Sequence, residues 1–179
     1  MRKYFRAAVF FRENNSVFSV QIQRYFEAAA KGNPVSMRFL LKMGCNPNKP
    51  DAYSYTPLMI ATGNKNYKCA ELLVKHPDIN VNGTSRSGIS PLHQLGFFSQ
   101  THETGMLKLL LSHQDINVNI QDRDGWTPLM LFCQKDLYKH VKILLQSPNI
   151  KPDLEDHEGY KALYFCDSDS ESIKVLLGN

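Results

Sequence analysis

The sequence has no apolar run of about 18 residues, so no helix in it is expected to span a membrane. The apolar stretch Ala7–Phe11 is too short for the core of a signal peptide, and Arg12 and Glu13 follow it at once. Cysteine is sparse. Cys45, Cys69, Cys133 and Cys166 lie far apart, and none forms a Cys-x-x-Cys pair. A chain of 179 residues has no need of a disulfide framework, so reduced thiols in a cytoplasmic setting are expected. Ten glycines and nine prolines are too few for a collagenous or disordered chain. No glycine-rich phosphate loop and no serine nucleophile elbow occurs, and no His/Cys spacing suits zinc. No cofactor and no metal is therefore expected.

Charge of one sign is scarce at each end in turn. The net charge is +4. Residues 1–49 hold nine Lys/Arg against Glu13 and Glu27, whereas residues 50–179 hold twelve against fifteen acids. A nucleic-acid binder more often carries a basic stripe along its whole face. Nucleic-acid or acidic-membrane binding by the basic N-terminal region is the alternative this gradient leaves open.

What is present is a repeat. SYTPLMIATGN (54–64), GISPLHQLGFF (88–98), GWTPLMLFCQK (125–135) and GYKALYFCDSD (159–169) align. Their leucines, Leu58, Leu92, Leu129 and Leu163, are spaced 34, 37 and 34 apart. A second marker follows each: Leu72-Leu73, Leu110-Leu111, Leu144-Leu145 and Leu176-Leu177. An earlier unit, EAAAKGNPVSMRFLLKMGCNPN (27–48), keeps only the second part. Thr56, Ser90 and Thr127 each precede proline, so a hydroxyl cap and a proline at the first helical position start a helix. Asn33-Pro34 does the same for the second helix of the first unit. Apolar residues at helical spacing follow, as in Val35, Phe39 and Leu40 or Val141, Leu144 and Leu145. Turn residues such as Gly44, Asn46 and Asn48 then close the unit. Each unit is a helix pair plus an extended turn, and it must stack on its neighbours to bury its apolar face.

The segments DRDGWTPL (122–129) and AAAKG…FLLKMGCNPN (28–48) resemble ankyrin repeats, and the resemblance covers about 18–179. It implies an all-α ankyrin-repeat solenoid of about five stacked helix-turn-helix units, at about 18–50, 51–84, 85–121, 122–155 and 156–179. Residues 1–17 fall outside it and are expected to form an N-terminal helical extension that caps the first unit. The first unit lacks Thr-Pro-Leu and the last has Lys161-Ala162-Leu163, as terminal units often vary. The third carries an insertion near 99–105.

No converging catalytic constellation survives the alignment, so the chain is expected not to be an enzyme. Cys133 and Cys166 fall at or beside the small-residue column of the first helix, and His76 and His113 share one turn position. His102, His140 and His157 are expected at the surface. The acidic run 167–172 leads into a helix-like segment and suits a helix N-terminus better than a calcium loop. In the family, a histidine placed like His93 hydrogen-bonds the next repeat. The resemblance also implies a protein partner, bound by the turn tips and the concave side of the first helices. The positions that map there are Tyr53, Tyr55, Arg86, Ile89, Arg123, Trp126, His157 and Tyr160. Tyr55, Ile89, Trp126 and Tyr160 form one column of large side chains, readable as a binding strip or as a structural ladder. Phe97 and Phe98 offer a second patch beside the inserted loop. No small-molecule substrate is expected, and the chain is expected to be a monomer.

The turns around Asn80 and Asn117 resemble sites of a eukaryotic asparaginyl hydroxylase. The tail CDSDSESIKVLLGN resembles secretion signals of ankyrin-repeat effectors that intracellular bacteria deliver into host cytoplasm. A eukaryotic cytoplasmic or nuclear scaffold or inhibitor is the competing setting.

Overall fold

The computed structural model describes residues 15–98, 104–166, 173–174 and 177–178. Among them are eight α-helices, one 3-10 turn and a single antiparallel bridge, Glu155 to Lys161. The chain divides into two compact units that meet at Asn80/Val81, inside an extended turn and four residues before the expected boundary.

The first unit contains α1 (Asn15–Lys31), α2 (Pro34–Lys42), α3 (Pro57–Gly63) and α4 (Tyr67–Val74). α1 runs straight through the expected 17/18 border between extension and repeat. It packs on α2 and α3, while α2 and α3 each pack on α4. The Asn33 side chain accepts the Ser36 N–H at 3.0 Å and caps α2, with Pro34 at the first position. The α2 core face is Met37 and Leu40. Val35 and Phe39, which share the helical apolar pattern, instead stand 77% and 60% exposed. Helical spacing marks an apolar stripe without saying which part of it meets a neighbour.

The second unit contains α5 (Pro91–Phe98), α6 (Gly105–Leu111), α7 (Pro128–Gln134) and α8 (Tyr138–Leu144), followed by the 3-10 turn Ala162–Phe165. α7 packs on α5, α8 and the 3-10 turn. The fourth Leu-bearing segment is expected to start a helix, and within its described residues, 159–166, it forms this one turn. It has lost the Thr-Pro start, and the Lys161 side chain makes no cap hydrogen bond. Its second marker falls largely outside the described residues, as do His102 and residues 167–172 of the secretion-signal resemblance.

Both Thr-Pro starts close in the same way. Thr56 Oγ1 accepts the Met59 N–H at 3.3 Å, and Met59 Sδ accepts the Thr56 N–H at 3.5 Å. Thr127 and Met130 repeat the arrangement at 3.3 Å for both bonds. The methionine thioether thus occupies the role that Glu or Gln plays in a capping box. All four cysteines are thiols, and burial pushes those of Cys69 and Cys133 up. His140, expected at the surface, is fully buried with its ring 5.3 Å from Phe132, because α8 turns that position inward beside Val141 and Leu144.

Candidate binding surface

Four copies of one small device hold the turn tips. In each, a single oxygen accepts the N–H groups two and four residues on. Asp51 Oδ1 accepts from Tyr53 and Tyr55, both at 2.8 Å. Ser85 Oγ accepts from Ser87 and Ile89, both at 3.3 Å. Asp122 Oδ1 accepts from Asp124 at 3.0 Å and Trp126 at 2.9 Å. Asp156 Oδ1 accepts from Glu158 at 3.0 Å and Tyr160 at 2.8 Å. The backbone N–H of each acceptor residue also donates to the carbonyl four residues on, at 2.9–3.0 Å. Side-chain and main-chain bonds together lock a loop that would otherwise be free. These acceptors carry a sequence signal: an Asp or Ser stands four residues before each member of the Tyr55, Ile89, Trp126, Tyr160 column.

The device also sets which side chains face outward. Tyr53, Arg86, Arg123 and His157 are exposed, with Tyr53 at 73%. Their register is uneven. Arg86, Arg123 and His157 directly follow their clamp residue, whereas Tyr53 stands one place further on, in line with Ser87, Asp124 and Glu158. Tyr55, Ile89, Trp126 and Tyr160 are all half-buried. Trp126 packs on Phe165 with ring centroids 4.2 Å apart, and Tyr160 stacks on Tyr164 at 3.9 Å. In the second unit Trp126 and Tyr160 are thus each packed against aromatic rings of the 3-10 turn. Phe97 and Phe98 are 45% and 53% exposed at the end of α5.

Tips of the second unit lie backbone to backbone. The Arg123 N–H donates to Ser87 O, and the His157 N–H to Asp124 O, both at 3.1 Å. Gly88 and Gly125 permit this approach. Both have φ above +80° or at it, and a Cβ at either would come within 2.7 Å of the next tip's backbone. His93 ties the helices to the same tips. Its Nε2 donates to the Trp126 carbonyl at 2.9 Å, so Nδ1 is left as the acceptor from Ser90 Oγ at 2.8 Å. Burial holds the imidazole below its ordinary value, against the opposing pull of the Trp126 carbonyl and the Asp122 carboxylate.

A second set of bridges joins the extended turns. The Asn48 side chain donates to Asp78 O at 2.6 Å and accepts the Asn80 N–H at 2.7 Å. Asn82 does the same with Asp115 O and the Asn117 N–H, and Asn119 with Asn149 O and the Lys151 N–H. Asn80 and Asn117 are exposed at these turns, and their backbone N–H groups are the ones that Asn48 and Asn82 hold. Among the described residues, no group of three or more His, Cys, Asp or Glu is arranged to hold a metal ion. Among them too, no helix is long and apolar enough to cross a membrane.

The geometry agrees with the comparisons. The family described as Ankyrin repeats (3 copies) matches residues 25–96 and 96–179. Rabankyrin-5 of Homo sapiens is 38% identical over 64 residues, and that of Mus musculus 34% over 64 residues. In both cases the match covers 36% of this chain and 6% of the relative, so the chain spans a small fraction of these proteins. Ankyrin repeats generally mediate protein–protein interaction. With a family match over most of its length and helix pairs joined by clamped turns, the chain belongs to the ankyrin-repeat family.

Proposed function

We propose that this chain is a non-catalytic module that binds a partner protein through its turn tips and the concave side of its first helices. In the first unit the contact residues are Tyr53 and Tyr55. In the second they are Arg86, Ile89, Arg123, Trp126, His157 and Tyr160, with Phe97 and Phe98 as an adjoining patch. The observation that carries this reading is the fourfold tip clamp. It presents exposed Tyr, Arg and His side chains on backbone that is already ordered. Little conformational entropy is then lost on binding, and aromatic and Arg side chains supply most interface hot spots.

Affinity capture from eukaryotic lysate tests it. Wild type is compared with Tyr53→Ser/Arg86→Ser/Arg123→Ser and with Lys68→Ala/Lys108→Ala/Lys142→Ala, whose lysines are exposed on the second helices. Partners should persist with the lysine variant and vanish with the tip variant. Partners lost only from the lysine variant would overturn the reading.

A further inference from the structure

A cleft of about 500 Å³ lies beside the fourth tip. Its walls are aromatic: Trp126 against Phe165, and Tyr160 stacked on Tyr164 with an interplanar angle of 16°. Phe165 meets Tyr164 edge-on at 5.5 Å and closes the corner between the two pairs. Asp124 and Glu158 stand exposed on the rim of the cleft together with the imidazole of His157, Asp156 lies buried beneath them, and neither lysine nor arginine is among the described lining residues. Two cations adjoin the lining in sequence: Lys161 is 3.7 Å from Asp153, which is not part of the lining, and Arg123, beside Asp124, is exposed at the third tip. The clamp fixes this arrangement, because Asp156 Oδ1 holds the N–H groups of both Glu158 and Tyr160. Tyr164 is 64% exposed, so an aromatic face is open to solvent.

Aromatic faces carry negative electrostatic potential, and carboxylates at their edge add to it. An anionic or purely apolar ligand gains nothing from the rim, whereas a cation gains from rim and walls together. We propose that this cleft takes the cationic side chain, lysine or arginine, of a basic peptide segment. The inference rests on the tip-surface reading above and specifies its chemistry at one end. A flexible alkyl stem can lie along the rings while its charged head reaches Asp124 or Glu158.

Trp126 is the sole tryptophan of the chain, so its emission reports on the cleft directly. The full chain is titrated at low salt with a decapeptide bearing three lysines in a Gly-Ala background. Counterparts carry norleucine or glutamate at the same places. The lysine peptide should shift the Trp126 emission and bind at least about tenfold more tightly than the norleucine peptide. Asp124→Asn/Glu158→Gln should abolish that preference, and Tyr164→Ala should weaken lysine-peptide binding several-fold. Equal binding of the norleucine peptide, or unchanged binding to the variants, overturns the proposal. Absence of binding by the lysine peptide overturns it as well. None of these results touches the tip-surface reading, which falls only if lysate partners ignore the tip substitutions.

Discussion

The side-chain amide of Asn82 donates to the backbone carbonyl of Asp115, 33 residues further on, at 2.6 Å. Its Oδ1 accepts the Asn117 N–H at 2.8 Å, so one side chain satisfies a donor and an acceptor of the following turn. Asn82→Ala strips both bonds from a turn with no other regular structure. The expected cost is about 1–3 kcal/mol, or a melting temperature lower by roughly 3–10 °C for a chain of this size. Hydrogen exchange gives a local check: the Asn117 amide should exchange much faster in the variant. Unchanged protection there would mean that the bridge does not hold the turn.

Acid should weaken the fold through His93. The neutral ring accepts from Ser90 on Nδ1 and donates to Trp126 O from Nε2. A proton on Nδ1 would face the Ser90 N–H aimed at the same atom. Burial holds the folded group below its ordinary value of 6.5. The unfolded chain therefore binds the proton first. The histidine's contribution is complete above about pH 6.5 and is lost as pH falls from there through the lowered value. Melting curves at pH 7.5 and 5.5 should show a larger drop for wild type than for His93→Gln. An equal drop in both would place the acid sensitivity elsewhere.

Lys65 sits in the left-handed region at φ +58°, where the matching residue of the first helix pair is Gly32 at φ +69°. A Cβ in that region costs about 1–2 kcal/mol. Lys65→Gly should raise the melting temperature by roughly 1–3 °C once glycine's greater unfolded-state entropy is deducted. The converse change, Gly32→Ala, should lower it. Its Cβ would run into the Asn66 side chain. That side chain already donates to Ala29 O at 2.7 Å and Ala30 O at 2.9 Å. A destabilised Lys65→Gly would mean that the lysine side chain contributes more than its backbone strain costs.

Trp126→Ala separates the two roles of the aromatic column. Removing the ring takes away its 4.2 Å contact with Phe165. A half-buried aromatic pair of this kind should cost about 1–2 kcal/mol of stability. If the column also meets a partner, affinity should fall by about 2 kcal/mol or more. Scanning calorimetry and a binding isotherm on the same variant decide it. A lower melting temperature with unchanged affinity would leave Trp126 as a ladder residue only.

The repeat was written in the sequence. Thr56-Pro57, Thr127-Pro128 and Asn33-Pro34 fixed three helix starts, because a cap and a proline act over one turn of chain and need no distant partner. Leu58, Leu92 and Leu129 reported which faces are buried, with Leu163 only half-buried, and the exposed positions of Arg86, Arg123 and His157 lie in the same register. Tertiary structure decided what local signals leave open. Val35 and Phe39 share the apolar spacing of α2 and yet stand exposed, because burial depends on what lies opposite. His140 went inward for the same reason. Trp126 acquired its neighbour from Phe165, 39 positions away, and the cleft beside it is lined by Tyr164 and Phe165 of the 3-10 turn. Caps and periodicity are properties of consecutive residues. The aromatic walls and acidic rim come from two separate stretches, 124–126 and 156–165, which only the packing of one repeat on the next brings together.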